Sequence, residues 1–158
     1  MKKIILAAVA ATIAVPAAAA PGDTATDQGS ATATIVAPIS ILHDGGALDF
    51  GVIVSPTVNS TVTVSAGSAS TTSGDAVVLS GGAADSFTVS GQAGRSFSIV
   101  TSNETMAGGM SFTTSAPASG TIGAGGSVQF EVEGVLSIPA AQAAGTYTGT
   151  YDADVTYL

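Results

Sequence analysis

Apolar and polar residues alternate with a period of two along most of the chain after residue 31. In the stretch SVQFEVE, Val128, Phe130 and Val132 fall on one side of an extended chain, and glutamine or glutamate residues fall on the other. This alternation is typical of a β-strand with one buried face and one solvated face. Three further segments carry the same inward pairs: Val62 and Val64, Phe87 and Val89, Phe97 and Ile99.

The pattern predicts about nine short strands. They cover residues 31–42, 48–54, 60–66, 75–81, 85–91, 95–101, 110–116, 127–138 and 146–158. Clusters of Gly, Pro, Ser, Asn and Asp separate them, and no segment after residue 20 reads as a long amphipathic helix. Regular spacing of short strands predicts an all-β fold, an antiparallel immunoglobulin-like or jelly-roll-like β-sandwich. Pro38 lacks a backbone N–H, so it places the first strand at a sheet edge or a bulge.

The chain begins with two lysines, an apolar run and a string of alanines. That order predicts a secretory signal peptide over residues 1–19. The polar residues 20–30 then form a flexible leader, and the sandwich domain covers residues 31–158. We therefore expect an exported protein of the periplasm, cell surface or extracellular space, with no membrane insertion after cleavage.

Charge and cysteine content exclude some classes of binding partner and some means of stabilising the domain. The sequence has eleven acidic residues against three basic ones, and it has no cysteine. An acidic surface repels phosphate backbones, so nucleic-acid binding is not expected. Neither disulfides nor thiolate metal sites can form, so packing and hydrogen bonds must stabilise the domain.

The C-terminal stretch GTYTGTYDADVTYL has one aromatic and apolar face and one polar face. Two interpretations stay open: a final core strand, or a strand that pairs with a partner. The apolar face is formed chiefly by Gly145, Tyr147, Tyr151, Val155 and Tyr157. Gly145 and the penultimate Tyr157 make the stretch similar to the C-terminal motif of subunits assembled by the chaperone-usher route. That resemblance implies strand pairing with a periplasmic chaperone and self-association into fibres.

A second resemblance involves ATIVAPISI, the turn Leu48-Asp49-Phe50-Gly51 and the segment from Val132 to Tyr157. Together they resemble the bacterial family called domain of unknown function 4402, which is similar to spore coat protein U type pilin domains. The resemblance implies a structural or surface protein, a pilus-like or coat subunit. Pilin domains of this type donate an apolar N-terminal strand, whereas residues 20–30 are polar. The candidate donor is therefore the strand at 31–41 (Ala33, Ile35, Ala37, Ile39, Ile41); otherwise the fold completes itself.

Residues that could carry chemistry are few. The one histidine, His43, lies in the turn HDGG and is interpreted as a solvated turn residue, and no motif of nucleophilic catalysis accompanies it. We predict a non-enzyme without a cofactor or a bound metal. The carboxylate pairs Asp152 with Asp154 and Glu131 with Glu133 could contribute to a calcium site, but solvated charges are the simpler interpretation. Asp49 is expected to bond to backbone amides of its turn.

One other class of function stays open from the sequence. A monomeric secreted module could recognise glycan or protein through its Gly-rich loops.

Overall fold

The computed structural model describes Gly22 and residues 24–158, so the predicted signal peptide at 1–19 lies outside the described residues. The chain divides into two units between Thr34 and Ile35. In the first unit, residues 24–34 contain no helix or strand, and their side chains are exposed. The second unit, residues 35–158, contains all of the strands.

Twelve strands follow one another in this second unit. In chain order they are β1 (Ser40–His43), β2 (Val52–Val54), β3 (Ser60–Ser65), β4 (Ala69–Ser73), β5 (Val77–Ser80), β6 (Asp85–Ser90), β7 (Ser96–Thr101), β8 (Glu104–Thr105), β9 (Ser111–Ser115), β10 (Ser119–Thr121), β11 (Ser127–Ile138) and β12 (Ala153–Tyr157). The helical content of this unit is limited to two single-turn 3₁₀ helices, η1 (Ala66–Ser68) and η2 (Ala107–Gly109).

The strands form three antiparallel sheets. The largest has the order β1-β6-β11-β3-β4, with β9 also paired to β11 and β8 paired to β9. A three-stranded sheet has the order β10-β7-β12, and a two-stranded ribbon consists of β2 and β5. The long strand β11 pairs with β6 along its first half and with both β3 and β9 along its second half.

Two hydrophobic clusters fill the space between these layers. The first cluster lies between the second half of β11 and the β2-β5 ribbon and contains Phe50, Val62, Val64, Ala76, Met110, Phe112, Leu136 and Ile138. The second cluster lies between the first half of β11 and the three-stranded sheet and contains Val89, Phe97, Ile99, Ile122, Phe130 and Val132. Strand β11 contributes its even-numbered residues to both clusters, which is why its alternation is the clearest in the sequence.

The predicted all-β sandwich is confirmed, and each predicted strand corresponds to one observed strand. The expected count was too low, because β4, β8 and β10 lie in stretches that were interpreted as turns. Three predicted strands were much too long: the first covers only Ser40–His43, the second only Val52–Val54, and the last only Ala153–Tyr157. The edge position that Pro38 predicted is confirmed, since β1 ends the largest sheet and Pro38 precedes it. In the described part of the chain, no helix has the length and apolar character needed to cross a membrane.

Candidate functional site

The C-terminal segment before β12 keeps the predicted side-chain alternation without being a strand. Tyr147 and Tyr151 are half-buried and pack against the first core cluster, while Thr148, Thr150 and Asp152 are exposed. A Cβ atom on Gly149 would lie 2.9 Å from Cε1 of Phe112, so this glycine also faces the core. No backbone-to-backbone hydrogen bond joins residues 144–151 to the rest of the described chain. The segment is therefore anchored by its side chains, and its main chain has no pairing partner.

The ribbon strand β2 has a similarly unpaired edge. Val52–Val54 pair with β5 on one side, and no strand among the described residues pairs with the other side. A cleft of about 490 Å³ separates β2 from residues 142–147. Its floor is formed by Met110, Leu136 and Ile138. We call this cleft the slot.

The chemistry of the slot suits an apolar polypeptide strand. Asp49 is the one charged side chain among the described residues that line it. The Asp49 carboxylate already accepts a hydrogen bond from the Gly51 N–H at 2.8 Å, as the sequence predicted for this turn. Unpaired backbone edges with an apolar floor are the features that strand addition uses: main-chain hydrogen bonds supply affinity and side-chain pockets supply selectivity.

The turn Leu48-Asp49-Phe50-Gly51 shapes one end of the slot. Phe50 is buried in the first core cluster, and Leu48 packs against that cluster. Gly51 has a φ of +87°, and a side chain on it would clash with the carbonyl oxygen of Ser80. The turn thus brings β2 close to β5 only because glycine occupies this position.

The two halves of the predicted donor strand have different surroundings in the structure. In the single copy Ile39 and Ile41 are partly buried and pack against the second core cluster of their own domain, so a donated strand that included them would first have to leave this cluster. Ile35 is 94% exposed, whereas the residues from Ser40 onwards pair with β6. Among the described residues, 31–36 form no strand pairing and no backbone hydrogen bond, and all but the half-buried Val36 are exposed; we call this segment the arm.

The other C-terminal tyrosines connect β12 and the segment before it to distant parts of the domain. Tyr157 Oη donates to the Ala37 carbonyl at 3.0 Å and accepts from the Gln92 N–H at 2.7 Å. Tyr151 Oη donates to Asp85 Oδ2 at 2.6 Å. Val155 packs with Tyr151 and Tyr157 against the second core cluster, and Gly145 is exposed near the Tyr147 ring.

Asp85 is a buried carboxylate shared by three parts of the chain. Its Oδ1 lies 2.8 Å from His43 Nε2 and accepts the Ser86 N–H, while Tyr151 bonds to Oδ2. Burial and the neighbouring Asp85 carboxylate raise the pKa of Tyr151, so its phenol stays protonated. The interpretation of His43 as a turn residue was wrong, because it ends β1, pairs with Asp85 and packs on the Phe87 ring, while its side chain stays 46% exposed. The cluster could not be predicted from the sequence, because Asp85 is 42 residues from His43 and 66 residues from Tyr151.

The acidic pair Glu131 and Glu133 binds backbone amides of a neighbouring turn. Glu133 and Glu131 accept hydrogen bonds from the Ala66 and Gly67 N–H groups and so hold η1 against β11. Glu131 is exposed and Glu133 is half-buried, so the two carboxylates lie at the surface and have this structural role as well. Within the residues that the structure describes, no group of three or more His, Cys, Asp or Glu side chains is placed to hold a metal ion.

The fold and the site together define an antiparallel β-sandwich domain with an apolar-floored slot beside its two-stranded ribbon. The sequence model of one family, described as "Domain of unknown function (DUF4402)", matches residues 39–157. The chain belongs to this family. No curated protein and no solved structure matches the chain.

Proposed function

We propose that this protein is an exported structural subunit of a pilus-like fibre or surface coat that self-associates by β-strand addition. In this proposal the slot of one copy accepts the arm of a second copy as an added strand. The observation that carries the proposal is the pair of unpaired backbones on either side of the slot: the free edge of β2 and residues 144–147. A periplasmic chaperone would offer its own strand to the same slot before assembly.

The arm has the pattern that the slot requires. Ala33 and Ile35 alternate with threonines, so an inserted arm points small and branched apolar side chains at the floor and hydroxyls at solvent. Ile35 is almost fully exposed in the single copy, and burial of such a side chain contributes about 1.5–3 kcal/mol. Each new backbone hydrogen bond adds a net contribution of about 0.5–1.5 kcal/mol.

These gains are comparable to the cost of association, which is at least about 4 kcal/mol. One arm in one slot therefore gives a weak contact, and every internal copy of a fibre makes two such contacts, one as donor and one as acceptor. An assay must capture a weak complex, and covalent trapping does so. The chain has no cysteine, so introduced thiols report on single positions.

The test mixes copies that carry Thr34→Cys with copies that carry Val52→Cys or Val54→Cys under mild oxidation. Val52 and Val54 line the edge of the slot and are 58% and 45% exposed, so these substitutions leave the buried floor at Met110, Leu136 and Ile138 unchanged. We expect a disulfide-linked heterodimer, because residues opposite each other on paired strands have Cβ atoms within about 5.5 Å. Val100→Cys is the control acceptor, since Val100 is 64% exposed on β7 outside the slot.

The anchoring role of Ile35 is tested in the same donor. Ile35→Asp should abolish the cross-link, because a charge cannot enter the apolar slot. Thr32→Asp adds the same charge on the opposite side of the arm and should leave the cross-link in place. Cross-linking at Val100 as efficient as at the two ribbon positions would refute strand addition and leave a monomeric secreted module.

A further inference from the structure

The last strand holds the chain at the point where the arm begins. Tyr157 lies in β12, opposite Phe97 of β7, and its ring packs against the second core cluster. The ring crosses the backbone of Gly91 so closely that a side chain there would collide with the phenol oxygen. This fixes the position of the hydroxyl group, which accepts the Gln92 N–H and donates to the Ala37 carbonyl.

The residues after Ala37 are held in several ways, and those before it are not. Ser40–His43 pair with β6 from Ser90 to Phe87, and Ile39 and Ile41 pack against the second core cluster. Upstream, the one hydrogen bond in the described chain from residue 24 to 36 is local, from Gln28 N–H to Asp27. In the described chain, the Tyr157–Ala37 bond is thus the first hydrogen bond that joins this part of the chain to the sandwich, one residue before Pro38.

We propose that Tyr157 is a positioning residue that fixes the root of the arm at Ala37. With the root fixed, only residues up to Val36 are free for donation, and β1 stays in its own domain. Without the phenol, the chain opens towards β1, and the donated strand can extend to residues that normally pair with β6. This inference rests on the proposed function for its role in assembly, although its contacts lie within one copy.

The first measurement is hydrogen exchange on Tyr157→Phe, which removes the hydroxyl group and keeps the packed ring. We expect the amides of residues 39–43 to exchange roughly fivefold faster, because the loss of one hydrogen bond makes local opening of this segment easier by about that factor. The matched control is Ser98→Ala, which removes a neighbouring hydroxyl that bonds to the Thr156 carbonyl of the same strand. Unchanged exchange at residues 39–43, or an equal increase across the whole domain, would overturn the assignment.

The second measurement moves the donor thiol into β1. In otherwise native copies Ser40→Cys should not cross-link to Val52→Cys or Val54→Cys, because Ser40 is paired with Ser90. When Ser40→Cys is combined with Tyr157→Phe, the thiol at position 40 should cross-link to Val52→Cys or Val54→Cys. This change would not occur if the Tyr157 hydroxyl only stabilised the domain as a whole. If Thr34→Cys cross-links and Ser40→Cys stays unreactive in the variant, the positioning role is wrong. If Thr34→Cys itself never cross-links, the proposed function fails, and the exchange experiment still decides whether Tyr157 holds the root.

Discussion

Replacing Tyr151 with phenylalanine should destabilise the domain through a single hydrogen bond. The phenol donates to Asp85 Oδ2 at 2.6 Å, and Asp85 is only 3% exposed. A hydrogen bond to a charged group is worth about 1.5–3 kcal/mol, and the ring contacts with Phe87 and Phe112 are kept. We expect a loss of about 2 kcal/mol in the free energy of unfolding, which corresponds to about 8 °C in Tm for a domain of this size.

The matched control is Tyr147→Phe, measured beside it by thermal and urea denaturation. Tyr147 Oη bonds to the Ala143 carbonyl and the Gln142 side chain within the same surface segment, so no buried charge loses a partner. Its removal should cost less than about 1 kcal/mol. Equal losses in the two variants would refute the argument that the buried Asp85 carboxylate makes the Tyr151 bond strong.

The pH dependence of the Tyr151 effect follows from the direction of its pKa shift. Burial and Asp85 raise the pKa of Tyr151 above the ordinary value of 10, so the folded state keeps the phenol proton better than the unfolded state does. The resulting stability is fully present below about pH 10 and is lost as pH rises further, because the unfolded state then gains by ionising. Between pH 9 and 11, roughly the range around the ordinary pKa, wild-type stability should fall more steeply than that of Tyr151→Phe. Parallel curves would contradict this assignment.

Three further predictions concern other sites. Hydrogen bonds, chiefly from the Thr57 hydroxyl, lower the pKa of Asp75 from 3.8 to about 2. The carboxylate therefore stabilises the folded state above pH 3.8, and this stabilisation is lost as the pH falls towards 2. In acid titrations followed by circular dichroism, Asp75→Asn should remove this part of the loss of stability. Gly134→Ala places a Cβ atom 2.6 Å from Leu48 Cδ2 and should cost about 1–3 kcal/mol in urea denaturation, whereas Gly125→Ala meets no neighbour and should be neutral. Copies of formal charge −8 repel one another, so the yield of the Thr34 cross-link should rise as salt shortens the Debye length from about 30 to 8 Å, and a falling yield would point to attraction between charges instead.

The sequence predicted those parts of the fold in which side-chain alternation and strand pairing coincide. Strand β11 is the clearest example, since every second residue is buried from Phe130 to Ile138 and Val128 before them is half-buried. Strand β4 was missed because all of its residues are exposed, so no apolar face marks it. Strand β10 was missed because Gly120 lies directly beneath the Phe97 ring, where a larger apolar residue would not fit. In both strands the backbone pairing depends on a neighbour that the local sequence does not reveal.

The candidate site shows the opposite case, in which the alternation is present and the pairing is not. Residues 146–152 read as a strand because tyrosines and a glycine face the core at every second position, and the structure places them so. Side-chain periodicity therefore reported which way each residue points, and it could not report whether a neighbouring backbone exists. Unpaired backbone groups remain satisfied by water only while the slot stays open, and an apolar floor gains stability when it is covered. A strand placed beside β2 would meet both requirements at once, and the segment that the sequence predicts as a strand would then have the partner that its pattern anticipates.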